Sequence, residues 1–384
     1  MKIASAEQGA GRYVVGEVGP FEQKNEMFRR PFWDPQMLAL GKKFYRTEVP
    51  PKNKPGYRLT DQALVNAAWH LENTFAQGVA GGRMGMYDWK WERIFEYPRV
   101  PPGLKVETDN PVDLTRALKK TATFFGAAMV GVCELDKRWV YSSVYSRREQ
   151  ATLPVALPDE YQYAIALAIE MDYTAIRYSP TSPASAATGL GYSKMAFIAG
   201  LLAHYIRGLG YSAIACGNDT ACSIPIAIDA GLGELARNGL LITPTMGPRV
   251  RLAKVFTDLP LISDKPIEFG VWDFCMRCEK CAKNCPSKSI MYGKPTDKPH
   301  NISNREGLLR WPVNAETCLG FWAANGTDCS NCIRTCPFNK PAGWLHDSVR
   351  WGIKNFPVLN PLFLYGDDLF GYGRRGRADN FWTD

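Results

Sequence analysis

The sequence predicts an α+β protein with a cysteine-rich module attached. Two observations carry this expectation: strand-length apolar runs are mixed with long stretches of helical period between residues 111 and 260, and eight of the 11 cysteines fall in two tight sets further on. With 384 residues, 46% of them hydrophobic, the chain is long enough for two or three domains and a sizeable core.

Residues 1–108 are rich in Pro, Trp and charge, hold few long periodic runs and close in "YPRVPPGLKVETDNP". They read as an irregular N-terminal region. A regular core, 109–267, follows. "PVDLTRALKKTATFF" is an amphipathic helix, "AMVGVCEL" a buried strand and "YQYAIALAIEMDY" a second strand. "SPTSPASAATGLG" reads as a loop. In "YSKMAFIAGLLAHYIRGLG", Met195, Ile198, Leu202 and Ile206 recur at helical spacing before a Gly stop. "YSAIACG", "LLITP" and "RLAKVF" read as further strands. The cysteine-rich segment spans 268–342, and an aromatic tail spans 343–384.

The longest clean apolar stretch, "MAFIAGLLAHYI", is about half a bilayer span and is interrupted by His204, so no membrane crossing is expected. The start lacks a charged n-region followed by an apolar run, which makes the chain either cytoplasmic or already processed. The net charge is +8, with Lys42, Lys43, Arg46, Lys52, Lys54 and Arg58 facing only Glu48 within residues 42–58. Interleaved aromatics there could serve a phosphate backbone, but so small an excess of charge reads as a solvated, Pro-rich surface, and no nucleic-acid partner is expected.

The cysteines carry the strongest signal. Cys275, Cys278, Cys281 and Cys285, followed by Pro286, form the bacterial ferredoxin run C-x2-C-x2-C-x3-C-P. Cys318, Cys329, Cys332 and Cys336, followed by Pro337, repeat its last three positions with the first ligand displaced upstream. In two-cluster folds the fourth cysteine of each run ligates the other cluster. Crossing them assigns Cys275, Cys278, Cys281 and Cys336 to one 4Fe-4S cluster and Cys318, Cys329, Cys332 and Cys285 to a second. Zinc is the weaker reading, since zinc sites favour separated C-x2-C pairs over triplets. Clusters this close pass single electrons. Cys133, Cys216 and Cys222 match no ligand pattern and read as small buried residues.

Other cofactor signals are absent. No G-x-G-x-x-G follows a strand, no G-x-x-x-x-G-K-[ST] occurs, and no His stands in a D-x-H-x-x-G context. His70, His204, His300 and His346 are scattered and read as packed or surface residues.

The stretch from "GYSKMAFIAGLLAHYIRGLGYSAIACGNDT" through "AGLGELARNGLLITPTMGPRVRLAKVF", followed by the ferredoxin run, resembles the corrinoid- and iron-sulfur-dependent reductive dehalogenases. The resemblance runs from about residue 25 to past Cys336. It implies a nitroreductase-like cobalamin-binding core with a two-cluster ferredoxin-like domain, and an N-terminal region contributing to the pocket. It implies cobalamin held base-off without a His lower ligand, and removal of halide from an organohalide with two electrons and one proton through cobalt(I). It further implies an external electron donor, a small membrane-anchor protein and a location at the outer face of the cytoplasmic membrane. The family's twin-arginine leader has no counterpart here, because Arg29 and Arg30 lack an apolar run behind them.

Carried over by motif, Tyr192 of "GYSKM" is the proton donor, Arg251 of "GPRVRLAKVF" lies against it, and Asn218 of "GNDT" lines the pocket. The chemistry is coherent: a phenol is a poor proton donor at neutral pH, and an adjacent guanidinium stabilises the phenolate left behind. Taken singly, Tyr192 reads as an aromatic staple at a helix N-terminus and Arg251 as a surface residue of a strand. Phe32, Trp33, Trp89, Trp344 and Trp351 are candidates for an apolar substrate cage. The runner-up is an epoxyqueuosine reductase, which shares these cofactors and would bring tRNA to the basic patch, but that family places a carboxylate where Tyr192 stands.

Overall fold

The computed structural model describes residues 4–75, 87, 103–107, 110–147, 149–155 and 157–383. In chain order the helices are α1 (Leu38–Phe44), α2 (Leu59–Phe75), α3 (Pro111–Phe124), α4 (Tyr173–Ile176), α5 (Ser182–Gly208), α6 (Ser223–Asp229), α7 (Val271–Arg277), α8 (Lys280–Lys283), α9 (Ala315–Asn325), α10 (Asn331–Arg334), α11 (Trp344–Asn355) and α12 (Asn360–Leu369). The strands are β1 (Met129–Glu134), β2 (Val144–Ser146), β3 (Ala151–Leu153), β4 (Tyr163–Glu170), β5 (Ala213–Cys216), β6 (Glu234–Leu235), β7 (Leu241–Ile242) and β8 (Val250–Thr257).

A four-stranded antiparallel sheet, ordered β1-β4-β8-β5, forms the centre. Its β4 strand, "YAIALAIE", alternates small and large residues, and the two-residue period sorts them onto opposite faces. Ile165, Leu167 and Ile169 enter one core with Leu114 and Leu118 of α3 and Met195, Ile198, Leu202 and Ile206 of α5. Ala164, Ala166 and Ala168 enter the other, with Ile226 of α6 and with Trp272, Phe274, Trp311 and Phe338 of the cysteine-rich segment. The small face thus admits the bulky aromatics of that segment, so the sheet is covered on both sides.

The stretch 179–191, expected as a loop, is largely helix. α5 begins at Ser182 with Pro183 in its first turn, where a missing N–H costs nothing. Its Ser, Thr and Gly content reads as loop by local preference, but tertiary burial overrides it: Ser182 through Gly189 are all buried. Small residues are needed because α2 and β8 approach closely. A Cβ at Gly189 would stand 2.4 Å from Trp69, and one at Gly191 2.9 Å from Arg251. Ser193 Oγ bridges the two helices, donating to Ala68 O at 2.6 Å and accepting from Glu72 N at 3.1 Å. By length and composition α5 could cross a bilayer, but 72% of its most apolar 18-residue stretch is buried inside the protein.

The N-terminal region is less irregular than its composition suggests, since it supplies the 17-residue helix α2. The aromatic tail is likewise helical, forming α11 and α12. One residue couples the sheet-bearing body to the cysteine-rich segment. Arg237 is sealed from water and donates to the carbonyls of Cys275, Cys278, Met291 and Gly293, with its guanidinium 4.7 Å from the Trp311 ring centroid.

Candidate active site and thiolate clusters

Tyr192 lies in the interior of α5, not ahead of it, so its ring is carried by a rigid element. Asn218 follows β5 and donates from Nδ2 to the Tyr192 hydroxyl at 2.8 Å. Arg251 leaves β8 with its guanidinium carbon 5.2 Å from the Tyr192 ring centroid, donating to Thr188 Oγ1 at 3.2 Å and contacting Met171 Sδ at 3.2 Å. It is half-buried, against the surface position that its strand alternation suggests. The three residues come from positions up to 59 apart in sequence, and β8 and α5 bring them together.

Trp69 of α2 completes the surroundings, stacked on Tyr192 with centroids 4.9 Å apart and planes 22° apart. Tyr192, Arg251 and Trp69 line a cavity of about 330 Å³ with Phe28, Phe44 and Trp322, whereas Asn218, expected to line the pocket, is not part of this lining and is tied to it through the Tyr192 hydroxyl. Its inner wall holds Ser185, Thr188 and Asp328. Burial pushes the Asp328 carboxyl up, and Arg251, Ser185 and Thr188 pull it back. Beneath Asn218, buried Lys254 donates to Gly217 O at 2.5 Å and to Ser223 Oγ at 3.1 Å, fixing the turn that carries the asparagine. Burial lowers the Lys254 pKa.

Of the residues suggested as a substrate cage, the four described ones do not line the cavity. Phe32 packs on Tyr45 at 4.8 Å, Trp33 Nε1 donates to Lys24 O, and Trp344 and Trp351 are 80% and 60% exposed. Trp89 lies outside the described residues. Phe28, Phe44, Trp69, Trp322, Asp328 and Lys254 were not singled out by the sequence. Each sits in an ordinary helical, loop or strand context, and only long-range packing aims it at Tyr192 or its supports. His70, His204 and His300 are exposed, and His346 bonds Tyr372 and Pro341.

Cys275, Cys278, Cys281 and Cys336 line one void beside Phe274 and Phe338. The grouping thus takes the last cysteine of the second run. Burial pushes the Cys275 thiol up to about 12, reinforced by Cys278 and opposed by Arg237. In the other group, burial pushes Cys318 up to about 12, and Cys329 and Cys285 add to it. Cys332 is raised for the same reason, with Cys329, Cys318 and Cys285 as its charged neighbours. Cys281, Cys285 and Cys332 share one apolar cluster, so the two groups adjoin. Among the described residues no three His, Cys, Asp or Glu side chains converge as a single-ion site. Burial raises seven of the eight thiols, while at Cys285 burial is outweighed by hydrogen bonds from Ser287, Ser289 and Ile290, which lower it. Sulfurs so disposed suit a polynuclear iron centre, whose positive charge stabilises the thiolates.

The 4Fe-4S dicluster domain family matches residues 274–340. The tetrachloroethene reductive dehalogenase of Sulfurospirillum multivorans is 39% identical over 350 residues, covering 84% of this chain and 70% of that protein. The chain belongs to the reductive dehalogenase family. The solved catabolic reductive dehalogenase NpRdhA, in complex with 3-bromo-4-hydroxybenzoic acid, superposes with a TM-score of 0.72 at 23% identity, over 98% of this chain and 51% of that one. The likeness establishes the reductive dehalogenase fold for the described body, and the chain spans about half the length of that solved relative. An epoxyqueuosine reductase from a Synechococcus species is more distant, at 27% identity over 60% of this chain.

Proposed function

We propose that this protein is a reductive dehalogenase that converts an organohalide, two electrons and one proton into the hydrido product and halide. The observation that carries the reading is the convergence of Tyr192 and Arg251 on a substrate-sized cavity, with Asn218 bonded to the Tyr192 hydroxyl, in a chain that also bears the dicluster motif.

Two 4Fe-4S clusters would be held by the crossed cysteine sets, Cys275, Cys278, Cys281 and Cys336 in one and Cys318, Cys329, Cys332 and Cys285 in the other. The cavity suits an organohalide and not a whole corrinoid, but its wall offers Trp322 Nε1, Thr327 Oγ1 and Asp328 Oδ1, all buried without a partner. Those atoms would be satisfied by the amide rim of a cobalamin that adjoins the cavity without filling it, and its base-off state is proposed on the family pattern. When bound, the clusters and cobalamin supply single electrons and a low-valent cobalt at which the carbon–halogen bond breaks.

The chain's own residues supply placement and the proton. Tyr192 donates its hydroxyl proton to the carbon that loses halide. Arg251 stabilises the phenolate that results, being a cation that stays charged in a half-buried site. Asn218, donating to the same oxygen, orients the hydroxyl and strengthens its bond as charge develops. The aromatic walls leave the tyrosine hydroxyl as the proton donor beside the cavity. An external electron donor, and a small membrane anchor at the outer face of the cytoplasmic membrane, complete the proposal on the family pattern alone.

The test is anaerobic halide release by protein loaded with iron, sulfide and cobalamin, with a viologen reductant and haloalkenes, haloalkanes and halogenated phenols and acids, beside Tyr192→Phe. Cobalamin-dependent release that falls about 10²–10⁴-fold in the variant supports reaction and proton donor together. Full cofactor loading without halide from any compound overturns the reading.

A further inference from the structure

Two cations stand at the mouth of the Tyr192 cavity. Lys43, in the last turn of α1, and Arg46, just beyond it, both line the cavity and are exposed. No carboxylate pairs with either among the described residues. Arg46 is positioned without being neutralised: its Nη2 lies 3.3 Å from where a Cβ at Gly326 would stand, with Lys52 Nζ 4.0 Å from the same point. Gly326, at φ 85°, closes α9, and a side chain there would push the guanidinium away. The helix end beneath Arg46 offers only about half an elementary negative charge, which leaves much of the cation's field directed at the opening.

Among the described residues, the remaining charges that line the cavity are Arg251 and Asp328, at its inner end. Asp328 is the lining's one carboxylate among the described residues, and Arg251 is the charge that acts on it. Of the described charges, the two at the inner end are opposite in sign, and the two at the mouth are both positive. Between mouth and inner end the walls are aromatic, with Phe28, Phe44, Trp69 and Trp322, and a volume of about 330 Å³ accommodates a single ring.

We propose that the cavity takes organohalides bearing a negative charge, a carboxylate or phenolate on a halogenated ring, with Lys43 and Arg46 holding the anion and the aromatic walls holding the ring. This rests on the dehalogenase reading and narrows it. A neutral haloalkene offers nothing for two cations to hold, so for such a substrate they would bring no benefit. Like-signed charges at an entrance raise the local concentration of an oppositely charged substrate and fix which end enters first. With the anion retained at the mouth, the halogenated edge of the ring points inward, toward Tyr192.

Bromide release from 3-bromobenzoate and from its uncharged counterpart 3-bromobenzamide tests this, in the loaded enzyme and in Lys43→Gln, Arg46→Gln and the double variant. The ratio of kcat/KM for acid over amide should fall roughly fivefold in each single variant and about twentyfold in the double. The salt dependence of the acid's kcat/KM should flatten as well. Quenching of tryptophan fluorescence by 3-bromobenzoate, without reductant, reads binding apart from turnover, and iron and corrinoid contents are measured alongside. An unchanged ratio overturns the proposal, as does an equal loss for acid and amide. Loss of corrinoid from the variants also overturns it, by assigning the two cations to the cofactor's phosphate. If neither compound releases bromide yet the acid still binds in a Lys43- and Arg46-dependent way, the dehalogenase reading fails while the anion site stands.

Discussion

The indole of Trp69 lies stacked on the phenol of Tyr192, with ring centroids 4.9 Å apart. The contact joins α2 to α5 at the one hydroxyl the proposed reaction depends on. It is possible only because Gly189, one turn before Tyr192, leaves room for the indole.

Gly189→Ala therefore displaces that ring, since the new methyl would stand 2.4 Å from it. Overpacking costs about 1–3 kcal/mol, which outweighs the roughly 1 kcal/mol that alanine gains as a helix former. Denaturant unfolding should show a net loss of stability, and halide release should fall with it. A variant as stable and active as the parent would show that the stack is dispensable.

Arg251→Lys keeps the charge but not the geometry. Lysine cannot hold Thr188 and Met171 while lying over the Tyr192 ring, so kcat should fall about 10²–10³-fold with KM less affected. Steady-state kinetics on cofactor-replete protein separate the two constants.

Asn218→Ala removes a hydrogen bond that lies at the protein surface, and its effect should be smaller. A loss of about 1–2 kcal/mol, or roughly tenfold in kcat, is expected, well short of the effect of Tyr192→Phe. Equal effects would make the asparagine as central as the phenol.

The crossed cysteine pairing is open to direct test. Cys336→Ala should abolish the same cluster as Cys275→Ala, and Cys285→Ala the same one as Cys318→Ala, by iron content and electron paramagnetic resonance. If Cys336→Ala instead matches Cys329→Ala, each run serves its own cluster.

Stability should also depend on pH in a defined sense. Burial pushes the Glu26 carboxyl from 4.5 up to about 7, with its hydrogen bond from Tyr141 opposing the shift. Glu72 reaches about 7 and Asp229 about 6, again chiefly through burial. Between the unfolded and folded values the folded state holds more protons, so stability falls as pH rises from about 4.5 to 7 and then levels. Glu26→Gln removes one share of that slope, and denaturant midpoints at pH 5 and pH 8 should lie closer together in the variant.

Much of this architecture is legible in the sequence because its signals are local. Eight cysteines at ligand spacing announce their chemistry within about sixty residues, and the alternation of β4 names both its faces. The start of α5 is illegible for a physical reason: Ser, Ala, Thr and Gly read as loop until burial against α2 and β8 shows why only small residues fit. The cavity is hidden in another way. Tyr192, Asn218 and Arg251 came from a motif, whereas Phe28 in a turn, Trp69 in α2 and Trp322 in α9 are brought together only by the folded chain.

Arg237 binds the history of the two parts of this protein together. Its guanidinium, committed to the carbonyls of Cys275, Cys278, Met291 and Gly293, is sealed from water. A ferredoxin segment borrowed from another lineage would present its peptide oxygens elsewhere and strand that cation, at a cost of about 3–5 kcal/mol. The dicluster segment is thus an organ of this chain and not an interchangeable cassette, and chimeras between relatives should tolerate a crossover only where Arg237 travels with both cysteine runs.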